Sequence, residues 1–171
     1  MTNVEDGFRL SYQSPGENNL VGGMLTVYHE SSDSEMLQRK PKIIAAIPCF
    51  NEERFIGSVV LKAKRYVDRV IVIDDGSTDA TAKVAGEAGA KVYRNKQNQG
   101  YGAAIRSAIA KGQNLRADIL VILDGDGQHD PKDIPKLVRP LINEKADVAV
   151  GSRFLEKGEK PPLYRRLGSA F

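Results

Sequence analysis

The sequence predicts an α/β fold in a single domain, with a mostly parallel sheet covered by helices on both faces. From Lys42 onward, short apolar runs alternate with segments in which apolar residues recur at helical spacing. Several of the runs are apolar throughout, as expected of parallel strands that are covered on both sides. Polar turns rich in carboxylates directly follow these runs, at the strand ends where open parallel sheets bind their ligands.

Composition narrows the class of protein. The chain has 171 residues, enough for one domain with a sizeable core, and is 41% hydrophobic and 27% charged, as in soluble globular proteins. A net charge of +3 is too small to argue for a nucleic-acid partner. The single cysteine, Cys49, excludes an intramolecular disulfide and a cysteine-only zinc site.

No membrane span or secretory signal is predicted. No apolar run approaches the roughly 18 residues that a spanning helix needs, and the N-terminal MTNVEDGFRL is acidic and polar. We therefore expect a cytoplasmic protein, with peripheral contact at the cytoplasmic face of a membrane as the closest association with lipid.

Residues 1–41 are predicted to form a polar, loosely docked extension. Two loop-like stretches, SPGENN and ESSDSE, flank one candidate strand, Leu25 to His29. Residues 42–154 would form the domain itself, and residues 155–171 a basic tail.

Five apolar runs of the domain are predicted strands. The first, KIIAAIP, is rich in β-branched residues and is bounded by Pro48. The second and fourth, RVIVID and ADILVILD, lead directly into acidic turns. The five strands are predicted over residues 42–48, 69–74, 90–95, 117–124 and 146–152.

A predicted helix follows each of the first four strands. In the first helix, Phe55, Val59, Ala63 and Tyr66 lie on one face at helical spacing. The fourth follows Pro131, a residue suited to the first turn of a helix. The four helices are predicted over residues 52–66, 78–88, 102–113 and 133–144.

The first strand ends in IPCFNEE. Pro48 ends the strand, Phe50 offers a flat apolar face, and Asn51 is a candidate helix cap. The pair Glu52 and Glu53 suits the positive end of a helix dipole. Turn and capping chemistry explains this motif as well as a binding role does.

The second strand ends in DDGSTDAT. Gly76 supplies the turn, and Ser77 or Thr78 can cap the next helix. The adjacent carboxylates of Asp74 and Asp75 would repel each other at a strand end. They become reasonable if one of them accepts hydrogen bonds from a ligand or from N–H groups of the turn.

The fourth strand ends in LDGDGQHD. A calcium loop is excluded, because its sixth and twelfth positions, which require glycine and glutamate, hold His129 and Pro135. A plain acidic turn stays possible. Alternatively, Asp124 and Asp126 suit a hard divalent cation, Mg²⁺ or Mn²⁺, that shares its ligand shell with substrate phosphates. His129 could then add a ligand or a hydrogen bond to phosphate.

The loop before the third helix contains Gly100 and Gly102, an incomplete G-x-G-x-x-G pattern. The connection over residues 94–100 is too long for a dinucleotide-binding turn. A nicotinamide oxidoreductase is therefore disfavoured, and it would leave the acidic turn unexplained.

Together, PCFNEE, DDGSTD and DGDGQHDP, in this order and each at the end of a strand, resemble glycosyltransferase family 2. The resemblance covers about residues 42–154 and implies the GT-A fold and a nucleotide-diphosphate sugar donor. With VGSRF at residues 150–154, DGDGQHDP is most similar to the branch that glycosylates polyprenyl phosphates, the dolichyl-phosphate mannose or glucose synthases.

The resemblance implies roles in nucleotide binding. Pro48 and Phe50 would frame the base, with Glu53 near the base or ribose. Asp75 would hydrogen-bond the base, supported by Asp74.

The resemblance also implies roles near the reacting groups. Asp124 and Asp126 would meet the ribose and the metal, with Asp126 the better metal ligand. The amide oxygen of Gln128 could ligate the metal as well. Arg153 would lie near the diphosphate or the acceptor phosphate.

The implied reaction inverts the anomeric carbon in one displacement. A phosphate acceptor is already ionised and needs no protein base, which agrees with the ordinary character of Glu156 and Glu159, the acidic residues that follow Arg153. The basic tail would begin an acceptor region that in the family continues further. A saccharide or protein acceptor, and a non-catalytic nucleotide-sugar-binding module, stay open as alternatives, as does the choice between UDP and GDP.

Overall fold

The structure, a computed structural model, describes residues 25–28, 39–143 and 145–151. It contains one six-stranded sheet in the order β4-β3-β2-β5-β1-β6. The strands are β1 (Leu25–Tyr28), β2 (Ile43–Cys49), β3 (Arg69–Asp74), β4 (Lys91–Arg94), β5 (Ile119–Ile122) and β6 (Val148–Val150). The helices are α1 (Ile56–Ala63), α2 (Thr81–Glu87), α3 (Tyr101–Asn114) and α4 (Ile134–Ile142), the last preceded by a 3₁₀ turn at Pro131–Asp133.

The mostly parallel sheet predicted from the sequence is confirmed. Strands β4, β3, β2 and β5 are parallel neighbours, and β1 pairs antiparallel with both β5 and β6. Strand β6 therefore runs in the same direction as β5, and β1 is the one reversed strand among those that the structure describes.

Helices cover both faces, as predicted. The apolar sides of α1, α2 and α4 pack with one face of the sheet in one buried cluster, whereas α3 packs on the opposite face. The central strands are buried on both sides, which explains their uninterrupted apolar sequences.

Strand β1 lies inside the sheet. It comes from the predicted N-terminal extension and confirms the candidate strand there over Leu25–Tyr28. His29, the last residue of the predicted strand, lies outside the described residues. Arg39, from the same extension, donates hydrogen bonds of 2.6 and 2.7 Å to the carboxylate of Asp118. The other predicted segments at the two ends, 1–24, 29–38 and the tail 155–171, lie outside the described residues.

The first two helices begin later than predicted. Residue 52 was the expected start of the first, but α1 begins at Ile56, because the carbonyl of Glu52 accepts from the N–H groups of both Phe55 and Ile56 in a preceding turn. Similarly, α2 begins at Thr81 and not at residue 78. The chain needs these extra residues to turn away from the strand ends, and the turns form the functional loops.

The prediction that Pro48 ends the first strand is wrong, because β2 continues through it to Cys49. Pairing of β2 with β3 continues to Cys49 opposite Asp74, but pairing with β5 stops at Ala46 opposite Ile122. Proline has no N–H to donate to a ladder. Strands β2 and β5 therefore part beyond this point and leave space between their carboxyl ends.

No helix in the described part of the chain is both long enough and apolar enough to cross a bilayer.

Candidate functional site

An open cavity of about 300 Å³ lies at the carboxyl ends of β2, β3 and β5, beside the first turn of α3. Five predicted site residues line it: Pro48, Phe50, Asp75, Asp124 and Asp126. The loops that follow three different strands thus meet at one place, as expected when parallel strands end at a common edge.

Three other predicted site residues lie outside this lining. Asp74 and Glu53 hold the loops behind the cavity, and Gln128 is exposed on the turn after Asp126. Arg153 lies outside the described residues.

Asp75 is buried and braces the loop before α3. Its carboxylate accepts hydrogen bonds from Asn95 Nδ2 at 2.8 Å, from the N–H of Gln99 at 3.0 Å and from the N–H of Gly100 at 2.8 Å. These donors come from the chain itself and hold the loop against the cavity wall.

Asp74 is fully buried, and its carboxylate stabilises the turn that follows it. One carboxylate oxygen accepts from the N–H of Ser77 at 2.9 Å. The other lies 3.1 Å from Arg94 Nε, an ion-pair contact without hydrogen-bond geometry. The adjacent carboxylates of Asp74 and Asp75 are therefore tolerated because separate donors from the protein compensate each of them.

Reciprocal hydrogen bonds join the loop after β2 to the loop after β3. The N–H of Asn51 donates to Ser77 Oγ, and Asn51 Oδ1 accepts from the N–H of Thr78, both at 2.9 Å. Asn51 adopts a φ of 57°, which asparagine tolerates better than most residues. The prediction that Asn51 caps the first helix is wrong, because its side chain reaches across to the neighbouring loop.

Glu53 belongs to the same network. Its Oε2 accepts from the N–H of Ala80 at 2.8 Å, and its N–H donates to Asp79 Oδ2 at 3.2 Å. The predicted caps Ser77 and Thr78 do not cap α2, whose N-terminus carries no side-chain cap. The carboxylate of Glu53 instead satisfies the N–H of Ala80, the residue that precedes α2.

Two glycines allow these loops to approach closely. Gly76 has a φ of 78°, and a Cβ atom there would lie 2.6 Å from the backbone carbon of Gln97. A Cβ atom on Gly125 would lie 3.0 Å from the Cβ of Cys49. Larger residues would push the acidic turn away from the end of β2.

The acidic turn presents two carboxylates with different surroundings. Asp124 Oδ1 accepts from the Tyr101 hydroxyl at 3.3 Å, and Asp124 Oδ2 lies 3.5 Å from His129 Nδ1. Asp126 Oδ1 accepts from the N–H of Gln128 at 2.9 Å. Among the described residues, none donates a hydrogen bond to Asp126 Oδ2, so this oxygen is available to a ligand.

Glu52 and Tyr101 were missed by the sequence analysis and line the cavity. The pair of adjacent glutamates, Glu52 and Glu53, indicated that a carboxylate could lie at the site. Only the geometry of the turn decides that Glu52 faces the cavity and Glu53 faces α2. Tyr101 opens the helix after the third parallel strand of the chain, at the same edge of the sheet, and no motif identified it.

The cavity has an excess of negative charge. Burial, followed by the charges of Asp126, Asp79 and Asp124, raises the pKa of Glu52. Burial and then the charge of Asp124 raise the pKa of Tyr101. Both shifts have the sign expected of acidic groups near uncompensated carboxylates.

Cys49 lies at the base of the cavity. Burial raises the pKa of its thiol to about 12, with the charge of Asp74 as the next contribution. The thiol is therefore protonated at neutral pH and is unsuited to act as a nucleophile or a metal ligand.

The described side chains could bind a divalent cation only if substrate phosphates and water supplied the remaining metal ligands. In the described part of the chain, no three His, Cys, Asp or Glu side chains group closely enough to hold a metal. Mg²⁺ and Mn²⁺ are commonly bound through one or two carboxylates, with substrate phosphates and water completing the shell. Asp126, with Asp124 or Glu52 beside it, meets that smaller requirement.

The model of the family described as Glycosyl transferase family 2 matches residues 44–169. The chain belongs to this family. The motifs that resembled family 2 in the sequence therefore have the expected ancestry, and they occupy the expected edge of the sheet.

Several family 2 relatives have names that mention a lipid phosphate. The chain is 35% identical over 147 residues to the UDP-N-acetylglucosamine--dolichyl-phosphate N-acetylglucosaminyltransferase of Methanococcus voltae, covering 74% of this chain and 59% of the relative. It is 31% identical to the dolichol-phosphate mannosyltransferase of Pyrococcus furiosus (74% and 38% covered) and 36% identical to the dodecaprenyl-phosphate galacturonate synthase of Rhizobium johnstonii (70% and 37% covered). The chain thus spans less than two thirds of the length of each of these relatives.

Solved structures support the GT-A fold. The glucosyl-3-phosphoglycerate synthase of Mycobacterium tuberculosis, crystallised with Mn²⁺, UDP-glucose and phosphoglyceric acid, superposes with a TM-score of 0.53 and 32% identity. The match covers 68% of this chain and 46% of that one.

Proposed function

We propose that this family 2 chain carries the donor site of a metal-dependent, inverting glycosyltransferase that moves a hexose from a UDP- or GDP-linked sugar to a polyprenyl phosphate. The observation that carries the proposal is the meeting of Glu52, Asp124 and Asp126 at one cavity beside Phe50 and Pro48. A cation and a diphosphate would relieve the repulsion among these carboxylates, and an apolar wall would accept a base.

One set of residues is proposed to bind the base of the nucleotide. Phe50 is 43% exposed and offers its ring to the base, against the rigid Pro48. Asp75 lines the cavity, and the loop before α3 fixes its carboxylate. It is proposed to hydrogen-bond the base from this position. Asp74 and Glu53 support this arrangement from behind, through Ser77 and Ala80.

Asp126 is the proposed metal ligand, because its Oδ2 accepts no hydrogen bond from the residues that the structure describes. Asp124 is held by its neighbours and is better placed to orient the ribose and the metal shell, with Gln128 as a further candidate ligand from the exposed side of the turn. When bound, Mg²⁺ or Mn²⁺ would neutralise the diphosphate and favour its departure. Arg153 is proposed to add a positive charge near the diphosphate or the acceptor phosphate.

A polyprenyl phosphate acceptor is supported by the names of three relatives, which mention dolichyl, dolichol or dodecaprenyl phosphate. Such an acceptor is ionised at neutral pH, and the chain would not need a base to activate it. Reaction with a lipid substrate would take place at the cytoplasmic face of a membrane.

The first experiment is calorimetric titration of the full chain with UDP- and GDP-sugars, in Mn²⁺ and then in EDTA. We expect one nucleotide sugar to bind, and its affinity to fall by about tenfold or more in EDTA or in Asp126→Ala, because a lost metal ligand weakens metal binding at least as much as a lost supporting contact does. Asp130→Asn is the control: Asp130 is an exposed carboxylate in the same loop that lies outside the cavity, and asparagine keeps the oxygen that accepts from the N–H of Lys132. Equal binding with and without metal would contradict the metal site, and no binding of either nucleotide would contradict the donor site.

Transfer is tested separately, with a radiolabelled nucleotide sugar and a detergent-solubilised polyprenyl phosphate. A second acceptor, phosphoglyceric acid, deserves a parallel assay because the M. tuberculosis neighbour was crystallised with it. Label in the lipid phase supports the proposal, and label in phosphoglyceric acid supports a small hydroxy-acid acceptor instead. Donor binding without transfer to any acceptor would support a non-catalytic binding module.

A further inference from the structure

A buried histidine contacts the acidic turn that follows β5. His129 is 5% exposed and is absent from the lining of the cavity. Its Nδ1 lies 3.3 Å from the backbone nitrogen of Asp124, with hydrogen-bond geometry, and 3.5 Å from Asp124 Oδ2. Because an N–H donates to it, Nδ1 is the acceptor in this contact.

The N–H of Asp124 needs this acceptor because the sheet has already ended. Pairing of β5 stops at Ile122 on both sides, opposite Ala46 of β2 and Leu25 of β1. An N–H group left without a partner at a partly buried position is costly. The imidazole therefore takes the place of a strand carbonyl and ties the two ends of the turn together.

The contact with His129 holds the backbone of Asp124 and not its carboxylate. As an acceptor, Nδ1 has no hydrogen to donate to Oδ2, 3.5 Å away, whereas the Tyr101 hydroxyl donates to Oδ1. Tyr101 is 64% exposed, whereas the ring that holds the backbone is buried.

We propose that His129 is a positioning residue for the donor site: its Nδ1 accepts from the Asp124 backbone and fixes the turn so that Asp124 and Asp126 face the nucleotide sugar. This inference rests on the proposed donor site. It assigns His129 neither to the metal nor to the phosphate, the two roles that the sequence left open for it.

The test compares His129→Asn with His129→Leu. The two replacement side chains have closely similar shapes, but asparagine provides an acceptor oxygen near the position of Nδ1 and leucine does not. We expect His129→Asn to bind the nucleotide sugar in Mn²⁺ nearly as tightly as the wild type. His129→Leu should bind about tenfold or more weakly, as is typical when a residue that supports a metal ligand is lost.

A second readout does not depend on ligand. In NMR of the unliganded chains, the backbone N–H of Asp124 should exchange slowly with solvent in the wild type and in His129→Asn, and faster in His129→Leu. If His129→Leu does not fold, as judged by thermal unfolding, His129→Ala replaces it in the comparison.

The outcomes separate this inference from the proposed function. If the wild type binds no nucleotide sugar, the donor site is wrong and the inference falls with it. If the wild type binds and the asparagine and leucine variants bind equally, whether well or poorly, only the positioning role is overturned. Equal exchange of the Asp124 N–H in the asparagine and leucine variants would also overturn it.

Discussion

At the residue scale, the carboxylates at the strand ends differ in what compensates their charge. Asp74 and Asp75 are buried and receive their hydrogen bonds from the chain, so they shape the loops. Asp126 and Glu52 lie at the cavity with fewer partners, and their charges act on each other. Residues with uncompensated charge are the ones expected to meet a ligand, at some expense to the stability of the free protein.

Glu52 provides a test of whether an uncompensated charge lowers the stability of the free protein. Its folded-state pKa is raised above the usual 4.5, so the folded chain holds this proton more readily than the unfolded chain does. The free energy of unfolding should therefore lose a contribution as pH rises from below 4.5 through the folded pKa. Glu52→Gln removes the penalty and should be more stable than the wild type at pH 7 in EDTA, by less than about 1 kcal/mol because the group is partly solvated.

The measurement is urea unfolding of both proteins at several pH values. The stability difference should vanish at pH values below the usual pKa. Glu87→Gln, an exposed glutamate on α2, is the control and should show a smaller difference at pH 7. A destabilised Glu52→Gln at pH 7 would show that the carboxylate has a stabilising partner in the folded chain.

At the scale of elements, small residues decide how closely helices pack on the sheet. Gly112 of α3 lies over β5, and a Cβ atom there would be 2.9 Å from Leu120 Cδ1. Leu120 is fully buried and has little room to move. At Gly86 of α2, by contrast, a Cβ atom would meet nothing within 4 Å.

The same substitution should therefore have opposite effects in the two helices. Gly86→Ala should stabilise the chain by about 0.5 kcal/mol, through helix propensity and a less flexible unfolded state. Gly112→Ala should destabilise it by about 1–3 kcal/mol, because overpacking outweighs propensity. Denaturant unfolding measures both, and equal signs would contradict the close approach of α3 to β5.

Strand β1 is the element whose place in the sheet most affects the domain boundary. It pairs with β5 over Leu25–Tyr28 and with β6 over Leu25–Val27, so the N–H of Val27 faces a paired strand on either side. Val27→Pro removes this donor and should lower the free energy of unfolding by about 2–4 kcal/mol. Val27→Ala keeps the N–H and serves as the control.

If the proline variant were no less stable than the alanine variant, residues 25–28 would be dispensable to the sheet. The chain would then match the simpler expectation of a loosely docked extension. Comparison of the two variants by urea unfolding distinguishes these cases without deleting any part of the chain.

At the scale of the whole molecule, metal and nucleotide bound together should stabilise the fold strongly. Either one alone should stabilise it only weakly. The described residues offer no complete metal cage, so phosphate oxygens are needed to finish the shell. A ligand at 100 times its dissociation constant raises the free energy of unfolding by about 2.7 kcal/mol. We expect Mn²⁺ with the preferred nucleotide to raise the Tm clearly, and Mn²⁺ alone to raise it little.

Thermal unfolding with each ligand alone, and with both, measures this coupling. Asp126→Ala should keep the Tm of the unliganded chain and lose most of the joint increase. A full increase with Mn²⁺ alone would indicate a complete metal site made by protein side chains.

Much of the fold could be predicted because its signals are local. Runs such as RVIVID and KIIAAIP are apolar throughout because both of their faces are buried, and helical spacing marks the segments between them. The ordered acidic turns likewise indicated the family and the edge of the sheet where the cavity lies. These features depend on neighbours in the chain, and the sequence contains them directly.

Other features depend on contacts between distant residues, and only the tertiary structure decided them. Glu52 and Glu53 are adjacent and chemically alike, but bonds to the loop after β3 direct one carboxylate to α2 and leave the other at the cavity. Likewise, His129 lies in a motif typical of ligand binding, and packing places it beneath the turn. The sequence by itself determined the layers of the fold and the edge that binds ligand, because burial patterns are local. The tertiary structure decided which polar side chains face a ligand, because each hydrogen bond to another loop removes a candidate from the site.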